Sequence, residues 1–238
     1  APSICVHRAR LITVAYRECE AEPVVIKRAR ALDKILREMP IYLEDQQLLA
    51  GNQASRPRSA PIFPEYSVSW LEEELDSLAS RSGDKFESSA QDREILRGIF
   101  DYWKGKTLQE RARSLQPQEV LTATAMAVIE WEGNVTAGEG HITVDYAALV
   151  KRGLGAYLAD VKSKLDSLDL AEPENLMKRK FYEAAILTIN AVSAFIRRYA
   201  GLAGSLAKME KDSIRQGELR TLAEICTRIA VDKPTSFY

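Results

Sequence analysis

Glycine and proline are scarce in this chain, with 12 Gly and 9 Pro among 238 residues. Their joint share of about 9% lies below the usual value of roughly 12%, and this deficit favours helices over a turn-rich β fold. The chain also has only two histidines, and its three cysteines are an odd number. This set gives neither a zinc pattern nor a disulfide framework, so we expect a reducing, cytoplasmic location.

Charge of one sign and long apolar runs are missing as well. The 33 basic and 34 acidic side chains give a formal net charge of -1, which predicts no strong attraction to nucleic acid or to anionic lipid. No apolar run approaches the ~20 residues that a membrane span needs, and the first residues show no signal-peptide pattern. A hydrophobic content of 46% with 28% charged residues is typical of a globular protein with a sizeable core.

Most of the sequence has a helical period, so we predict a mainly α fold with a few short strands. Ser3 is the predicted N-cap of a first helix with Cys5 and Cys19 on its apolar face, and Pro23 and Pro40 bound the second. Further helices are predicted over residues 67–80, from the N-cap Ser89 to Gly105, over 107–115, and over 120–131, the last as a buried helix. Asp145 is the predicted cap of another helix, whose apolar face continues through Gly153. A long helix of almost 40 residues is predicted from Pro173, with Gly201 or Gly204 as break points, and the last helix ends at Pro234.

Strand signals are few, and no domain boundary is visible. Residues 48–50 are predicted to form a short strand, and an extended connector with three prolines in eight residues follows them. The sequence has no internal repeat, no low-complexity segment and no sharp shift in composition. We therefore predict a single domain segment over residues 1–238.

One non-helical segment stands out, and we call residues 132–146 the glycine-rich segment. It contains Gly133, Gly138 and Gly140, and it holds His141, one of the two histidines. Such glycine density permits either a sharp turn or a close approach of backbone to a ligand. From the residues alone, His141 is either a structural hydrogen-bonding group that holds a turn or a ligand-binding group.

Several known site types do not fit this segment. No Gly-Lys-Ser/Thr follows the glycines, so it is not a phosphate-binding P-loop, and it lacks the strand and spacing of a dinucleotide fingerprint. A di-iron bundle needs two Glu-x-x-His motifs, which the chain does not have. A Ser/His/Asp triad with His141 as base remains open, although no Gly-x-Ser-x-Gly elbow is present.

Two further sets of residues allow a site or a structural role. Arg56 and Arg58 could hold a carboxylate or could tie down the connector. His7 is predicted at the edge of an apolar helix face, where a surface role is the simpler interpretation. The aromatic side chains Trp70, Phe100 and Trp103 fall at helical core positions.

Five segments in order along the whole chain resemble the N-terminal part of the glycyl radical enzymes, the pyruvate formate-lyase-like family. They are LAGN at 49–52, RSAPIFPEY at 58–66, FDYWKGK at 100–106, GEGHITVDY at 138–146 and LAEIC at 222–226, with Trp70 between the second and the third. The similarity is greatest to the dehydratase-like branch, which includes glycerol and propanediol dehydratases, hydroxyproline dehydratase and choline trimethylamine-lyase.

The resemblance implies a mechanism, partners and a fold. In this family a radical-SAM activating enzyme generates a glycyl radical, which oxidises a cysteine to a thiyl radical that takes a hydrogen from the substrate under anaerobic conditions. It also implies a homodimer of the full-length protein, in the cytoplasm or a bacterial microcompartment. The fold expected here is the helical N-terminal part of a ten-stranded α/β barrel, with apolar faces directed at the rest of the chain.

The chain departs from the family pattern at the radical positions. None of Cys5, Cys19 and Cys226 has a glycine before it and a glutamate two residues after it, and the C-terminal Arg-Val-x-Gly motif is absent. We therefore expect no catalytic residue, no metal and no bound cofactor in this chain, and no turnover by the chain alone. The three cysteines are predicted to occupy helical core positions.

The resemblance implies a substrate contact at His141. The matching turn carries an arginine in the pyruvate-cleaving branch, whereas several dehydratase-like members have a histidine or aspartate that contacts a substrate hydroxyl. A neutral imidazole suits a hydroxyl, and an arginine fork suits a permanent anion. Gly133 stands where relatives with small substrates have a bulky aromatic residue, which implies a roomier pocket.

The sequence therefore leads to two functional hypotheses. The first is the N-terminal segment of a glycyl radical dehydratase or lyase, whose partners are the rest of its own chain and the activating enzyme. The second is a non-catalytic helical interaction module that uses the same fold. A ferritin-like or other helical-bundle redox protein is a distant third.

Overall fold

The computed structural model describes residues 1–129 and 143–236, and within them the fold is mainly helical, as predicted. The strands are β1 Ser3–Cys5 and β2 Ser59–Pro61, and the helices are α1 His7–Glu18, α2 Val24–Glu38, α3 Ser69–Glu74, α4 Ala90–Trp103, α5 Leu108–Ser114, α6 Gln118–Ala125, α7 Tyr146–Asp166, α8 Pro173–Met209 and α9 Ser213–Ile229. These elements form two compact units, the first from residues 1–13 and 58–129, the second from residues 14–57 and 143–236.

Helix ends follow the capping residues of the sequence. α2 begins directly after Pro23 and ends before Pro40. Ser89 caps α4 through a capping box, in which its side chain accepts from the Asp92 N–H while the Asp92 carboxylate accepts from the Ser89 N–H. Gly105 follows α4 with a φ of 77°, the left-handed conformation that glycine tolerates.

The predicted start of the first helix is wrong. Ser3 and Cys5 lie in β1, which pairs in parallel with β2, and the helix begins only at His7. The Ser3 N–H donates to the Arg58 carbonyl at 3.0 Å. Apolar spacing alone does not distinguish a short buried strand from a helix turn, and the partner strand decides the conformation.

The strand predicted at residues 48–50 is also wrong. These residues are irregular, and the Leu49 side chain is 80% exposed. The strand lies instead at Ser59–Pro61, inside the predicted extended connector, because β1 supplies its hydrogen-bonding partner. Pro61 is tolerated at the end of a two-stranded sheet because it needs no N–H donor there.

The stretch predicted as a buried helix over residues 120–131 is exposed where the structure describes it. α6 ends at Ala125 and none of its residues is buried. Met126 and Val128 beyond it are each 70% exposed. Apolar composition was the only basis for the prediction, and composition does not show whether a partner surface is present.

The first unit has a core of apolar side chains from α3 and α4, together with Leu75 and the 3₁₀ turn Leu78–Ser80. Trp103 at the end of α4 is 1% exposed, and its indole N–H donates to the Thr13 hydroxyl at 2.8 Å. Thr13 in turn donates to the Ala9 carbonyl at 2.6 Å. The single polar atom of the buried tryptophan is therefore satisfied, as burial requires.

In the second unit, α2, α7 and α9 all pack against the long helix α8. α8 runs for 37 residues without breaking at Gly201 or Gly204. Arg198 donates to the carbonyls of Leu36 and Met39 at 2.6 and 2.5 Å. It thereby satisfies backbone groups at the end of α2 that have no partner within that helix.

α7 is interrupted, in contrast to the continuous helix face predicted through Gly153. Gly153 has φ 76° and ψ 166°, which is not helical, and two helical pieces meet there. A Cβ at this position would lie 2.5 Å from the Lys233 backbone nitrogen. The glycine is required by this close approach and by its positive φ, not by helix packing.

The first part of α8 leaves apolar side chains uncovered. Leu176, Met177 and Phe181 are 53%, 72% and 60% exposed. Phe181 also lines an apolar groove of about 360 Å³ between α2 and α8, whose other lining residues are Val25, Arg28, Ala29, Leu32, Ala184, Ala185, Thr188 and Ile189. We call these three exposed side chains together with the groove the α8 apolar face.

We expect the α8 apolar face to cause self-association of the isolated chain, because contiguous exposed apolar surface of this kind marks interaction sites. Phe181→Ser should weaken that association, measured by sedimentation velocity at tens of micromolar. Leu115→Ser is the matched control, since Leu115 is 85% exposed outside this face. A clean monomer before any substitution would contradict the prediction.

Candidate functional site

The two residues predicted to contact substrate, His141 and Gly133, lie outside the residues that the structure describes. The structure describes the chain up to Ile129 before them and again from Thr143 after them. Ile129 is 42% exposed and Val144 is 55% exposed. The described geometry of this candidate site is therefore that of the end of the glycine-rich segment and of α7.

Asp145 fixes the first turn of α7, as the sequence predicts. Its carboxylate accepts a hydrogen bond from the Ala148 N–H at 3.0 Å. This bond satisfies one of the four N–H groups that a helix start leaves unpaired, and it places a negative charge where the helix dipole favours one. The backbone of the glycine-rich segment therefore enters α7 at a capped, well-defined point.

Two glycines connect α7 to the chain that follows α9. The Gly155 N–H donates to the Val231 carbonyl at 2.7 Å. A Cβ at Gly155 would lie 2.8 Å from Val231 Cγ1 and 3.0 Å from its carbonyl oxygen. Together with the contact of Gly153 on residues 232–233, this forms a backbone-to-backbone junction, which we call the α7 anchor. The Gly-Leu-Gly spacing at 153–155 was the signal for it in the sequence.

Two of the family-like segments meet around Tyr199 in the second unit. Asn52 donates from Nδ2 to the Tyr42 carbonyl at 3.0 Å and to the Tyr199 hydroxyl at 3.2 Å. Cys226 and Leu222 pack in the same buried cluster as Tyr199. These segments therefore contribute to the core of the unit.

Burial controls the ionisation of this cluster. It raises the pKa of the Tyr199 hydroxyl, and it raises the pKa of the Cys226 thiol. Both groups are held in their neutral forms at neutral pH. A thiol held protonated in an apolar cluster is a packing group and a poor nucleophile.

A third family-like segment, at residues 58–66, is held by a polar cluster that the sequence did not predict. Arg8 in α1 makes a two-pronged ion pair with Glu65, with N–O distances of 3.0 and 2.5 Å. The Arg8 guanidinium also lies 3.7 Å from the centre of the Phe63 ring and donates to the Ile62 carbonyl. Planar stacking with bidentate pairing is specific to arginine, so a lysine could not replace it.

The remaining predicted residues are found in structural settings. Arg58 is exposed with a φ of 50°, and its carbonyl belongs to the β1 contact described above. His7 is the first residue of α1, and its Nδ1 lies 3.9 Å from Cys5 Sγ. Cys5 is buried in β1 and Cys19 is half-buried just beyond α1, so the predicted helical core positions are wrong for these two cysteines and right for Cys226.

The described residues offer no metal site. Within 1–129 and 143–236, no group of three or more His, Cys, Asp or Glu side chains is arranged to hold a metal ion. None of the helices in this part of the chain is both long and apolar enough to cross a membrane.

Comparison with known proteins defines the family. The sequence matches the pyruvate formate lyase-like family over residues 1–238. It is 35% identical over 237 residues to the probable dehydratase YbiW of Escherichia coli K12, covering 100% of this chain and 29% of that protein. This chain belongs to the pyruvate formate lyase-like family and matches an N-terminal portion of its relatives.

Two solved structures agree with this assignment. The glycerol-bound B12-independent glycerol dehydratase from Clostridium butyricum superposes with a TM-score of 0.95 at 34% identity, over 100% of this chain and 30% of that one. A glycyl radical enzyme from Archaeoglobus fulgidus superposes with a TM-score of 0.89 at 32% identity, again over 100% and 30%. The predicted fold, the helical N-terminal part of a glycyl radical enzyme, is confirmed. The chain spans about 30% of the length of these relatives.

The burial of the three cysteines predicts the order in which their thiols react with an added disulfide reagent. Cys5 and Cys226 are 1% and 4% exposed, whereas Cys19 is only half-buried. A disulfide reagent at pH 8 should therefore label about one thiol per folded chain quickly and the other two only as the chain unfolds. Cys19→Ser is the informative variant and should abolish the fast phase. Fast labelling of two thiols in the unsubstituted protein would contradict this assignment.

Proposed function

We propose that this chain is the N-terminal part of a glycyl radical dehydratase or lyase that cleaves a C–O bond, or a C–N or C–C bond, in a small hydroxylated substrate. The observation that carries the proposal is the superposition of the whole chain on a glycerol-bound glycerol dehydratase. The histidine in the glycine-rich segment, where a pyruvate-cleaving member has arginine, favours a hydroxyl over a carboxylate as the group bound there.

The radical groups of such an enzyme do not fit the cysteines of this chain. A glycyl radical supplies the oxidation of a reactive cysteine, and that cysteine must be reachable by substrate. Cys226 is buried with a raised pKa, Cys5 is buried in β1, and Cys19 is half-buried just beyond α1 and lacks the flanking glycine and glutamate of the family pattern. We infer that the thiyl cysteine and the radical glycine belong to the rest of the protein, and that this chain alone is inactive.

The proposed partners follow from that division. The rest of its own protein would cover the α8 apolar face, and a radical-SAM activating enzyme would install the radical. The complete protein would be a homodimer in the cytoplasm, with a bacterial microcompartment as a further location. Nothing in the near-neutral charge supports a nucleic-acid or membrane partner.

His141 has a defined task in this proposal. When the substrate C–O bond breaks, the leaving hydroxyl must take up a proton to depart as water. An imidazole can hydrogen-bond the hydroxyl before cleavage, and its protonated form can donate that proton. Gly133, which adds no side chain, would leave space in the same pocket for a larger substrate.

A non-catalytic interaction module with the same fold is the alternative. The exposure of Leu176, Met177 and Phe181 favours it, since the same surface could bind a full-length paralogue. The downstream gene sequence separates the two functions. A Gly-Cys-x-Glu loop and a C-terminal Arg-Val-x-Gly motif support the enzyme, and their absence supports the module.

The first test concerns radical competence. The chain alone, incubated anaerobically with an activating enzyme and S-adenosylmethionine, should give no glycyl radical doublet by electron paramagnetic resonance, because the radical motif is absent from it. The complete protein, treated in the same way, is the positive control. A doublet from the chain alone would show that the assignment of the radical glycine is wrong.

The second test concerns His141 in the complete protein. His141→Ala should lower kcat/KM on the order of 10²-fold, the usual effect of losing one acid–base or orienting group. The melting temperature should change little. His7→Ala, which removes the other histidine, is the matched control and should leave kcat/KM unchanged.

The competing interpretation is that His141 only holds the turn. In that case His141→Ala should cost roughly 1–3 kcal/mol of unfolding free energy through unsatisfied partners. The kinetics per folded molecule would then remain those of the unsubstituted protein. A melting shift of several degrees with unchanged kcat/KM would reject the substrate contact.

A further inference from the structure

The α7 anchor is built from backbone contacts that only glycine allows. Gly153 has a φ of 76°, and a Cβ there would lie 2.5 Å from the Lys233 nitrogen and 2.6 Å from the Asp232 carbonyl carbon. Gly155 contacts Val231 in the same way and donates its N–H to the Val231 carbonyl at 2.7 Å. At Gly153 the nearest atoms are backbone, so a Cβ would require a backbone shift, whereas at Gly155 a Cβ would force the Val231 side chain or its own backbone to move.

The anchor lies two helical turns from the glycine-rich segment. Residues 146–152 separate Asp145 from Gly153, a rise of about 10 Å along a helix. Val144 before this stretch and Tyr146 and Val150 within it are each more than half exposed. Ala148 and Leu149 are half-buried and the other residues from 144 to 152 are exposed. The position of the first turn therefore depends largely on the Asp145 cap at one end and on the anchor at the other.

We propose that the α7 anchor and the Asp145 cap act together as a positioning device that sets where the backbone of the glycine-rich segment enters α7. This inference rests on the proposed function, because it assigns to the anchor the task of holding the segment that carries His141 against substrate. Gly153, Gly155 and Asp145 are positioning residues, since none of them is assigned a contact with substrate.

A small displacement is enough to matter for such a device. Misplacing a substrate-orienting group by about 1 Å can reduce catalysis up to 10²-fold. A methyl group added at Gly155 must move either Val231 or the start of α7 by several tenths of an ångström, because the nearest atoms would lie at 2.8 and 3.0 Å. We therefore expect a change at residues 231–233 to move the start of α7.

Gly155→Ala in the complete enzyme is the decisive variant. It should lower kcat/KM per radical about tenfold, while the radical content measured by electron paramagnetic resonance stays the same. Val231→Ala removes the side-chain atom that lies at 2.8 Å, so the double variant should recover most of the loss. Gly217→Ala is the matched control, because a Cβ at that helical glycine would meet nothing within 4 Å.

The cap provides a second test that does not crowd the fold. Asp145→Ala removes the hydrogen bond to Ala148 and should lower kcat/KM per radical in the same direction. Asp145→Asn should restore most of the activity, because asparagine caps a helix about as well as aspartate. If Asp145 had a purely structural role, Asp145→Ala would lower the melting temperature and leave kcat/KM per radical unchanged.

The His141→Ala background separates this inference from the proposed function. If the device acts through His141, adding Gly155→Ala to His141→Ala should cause no further loss of kcat/KM. An unchanged kcat/KM in Gly155→Ala, or an equal further loss in the His141→Ala background, would overturn the device. If His141→Ala alone is silent while Gly155→Ala still lowers kcat/KM and Val231→Ala rescues it, the His141 assignment fails and the positioning role stands.

Discussion

Close packing of helices against α8 is the constraint on which the rest of the second unit depends. Four of the six buried residues of this helix are alanines, namely Ala184, Ala191, Ala203 and Ala207. Small side chains let neighbouring helices approach closely. Gly204 lies on the same surface, and a Cβ there would be 3.9 Å from the Ala223 side chain in α9. The helices α2, α7 and α9 therefore pack on a surface of mostly small side chains, in which Tyr199 is the large buried side chain.

Such close packing leaves little room for water, so the buried polar groups must find partners within the protein. Arg198 bonds the last carbonyls of α2, Ser193 donates to the Ala230 carbonyl at 2.6 Å, and Asn52 joins an irregular loop to Tyr199. In the first unit, the ion pair between Arg8 and Glu65 likewise gives the segment after β2 a polar partner within the protein. Removing one partner of such a pair leaves a buried polar group unsatisfied, which costs more than the bond contributes. These side chains determine the paths of loops that the apolar pattern leaves undefined.

Helices could be predicted from the sequence where their ends carry a local signal. Pro23, Ser89 and Pro173 act on their own neighbours, and the helices that they start were predicted to within a residue or two. β1 and the break at Gly153 could not be predicted in this way, since each depends on a distant partner, the one on residues 59–61 and the other on residues 232–233. In the candidate site, the Asp145 cap was predictable for the same local reason. The roles of His141 and Gly133 came from family resemblance and remain predictions.

The family-like segments divide into two classes once their contacts are known. The segments at 49–52, 58–66, 100–106 and 222–226 supply packing and hydrogen-bonding partners. Trp103 and Cys226 are buried, Asn52 and Glu65 are half-buried, and all four contact the rest of their unit. The segment at 138–146 is different, because its one described anchoring residue, Asp145, only begins a helix. A resemblance carried mostly by such framework residues supports the shared fold, which the superposition on solved relatives shows directly. The same resemblance says little about substrate, because substrate choice depends on the few side chains that the framework presents. In the proposed function, the contribution of this chain to substrate binding depends on how the described framework holds one short segment.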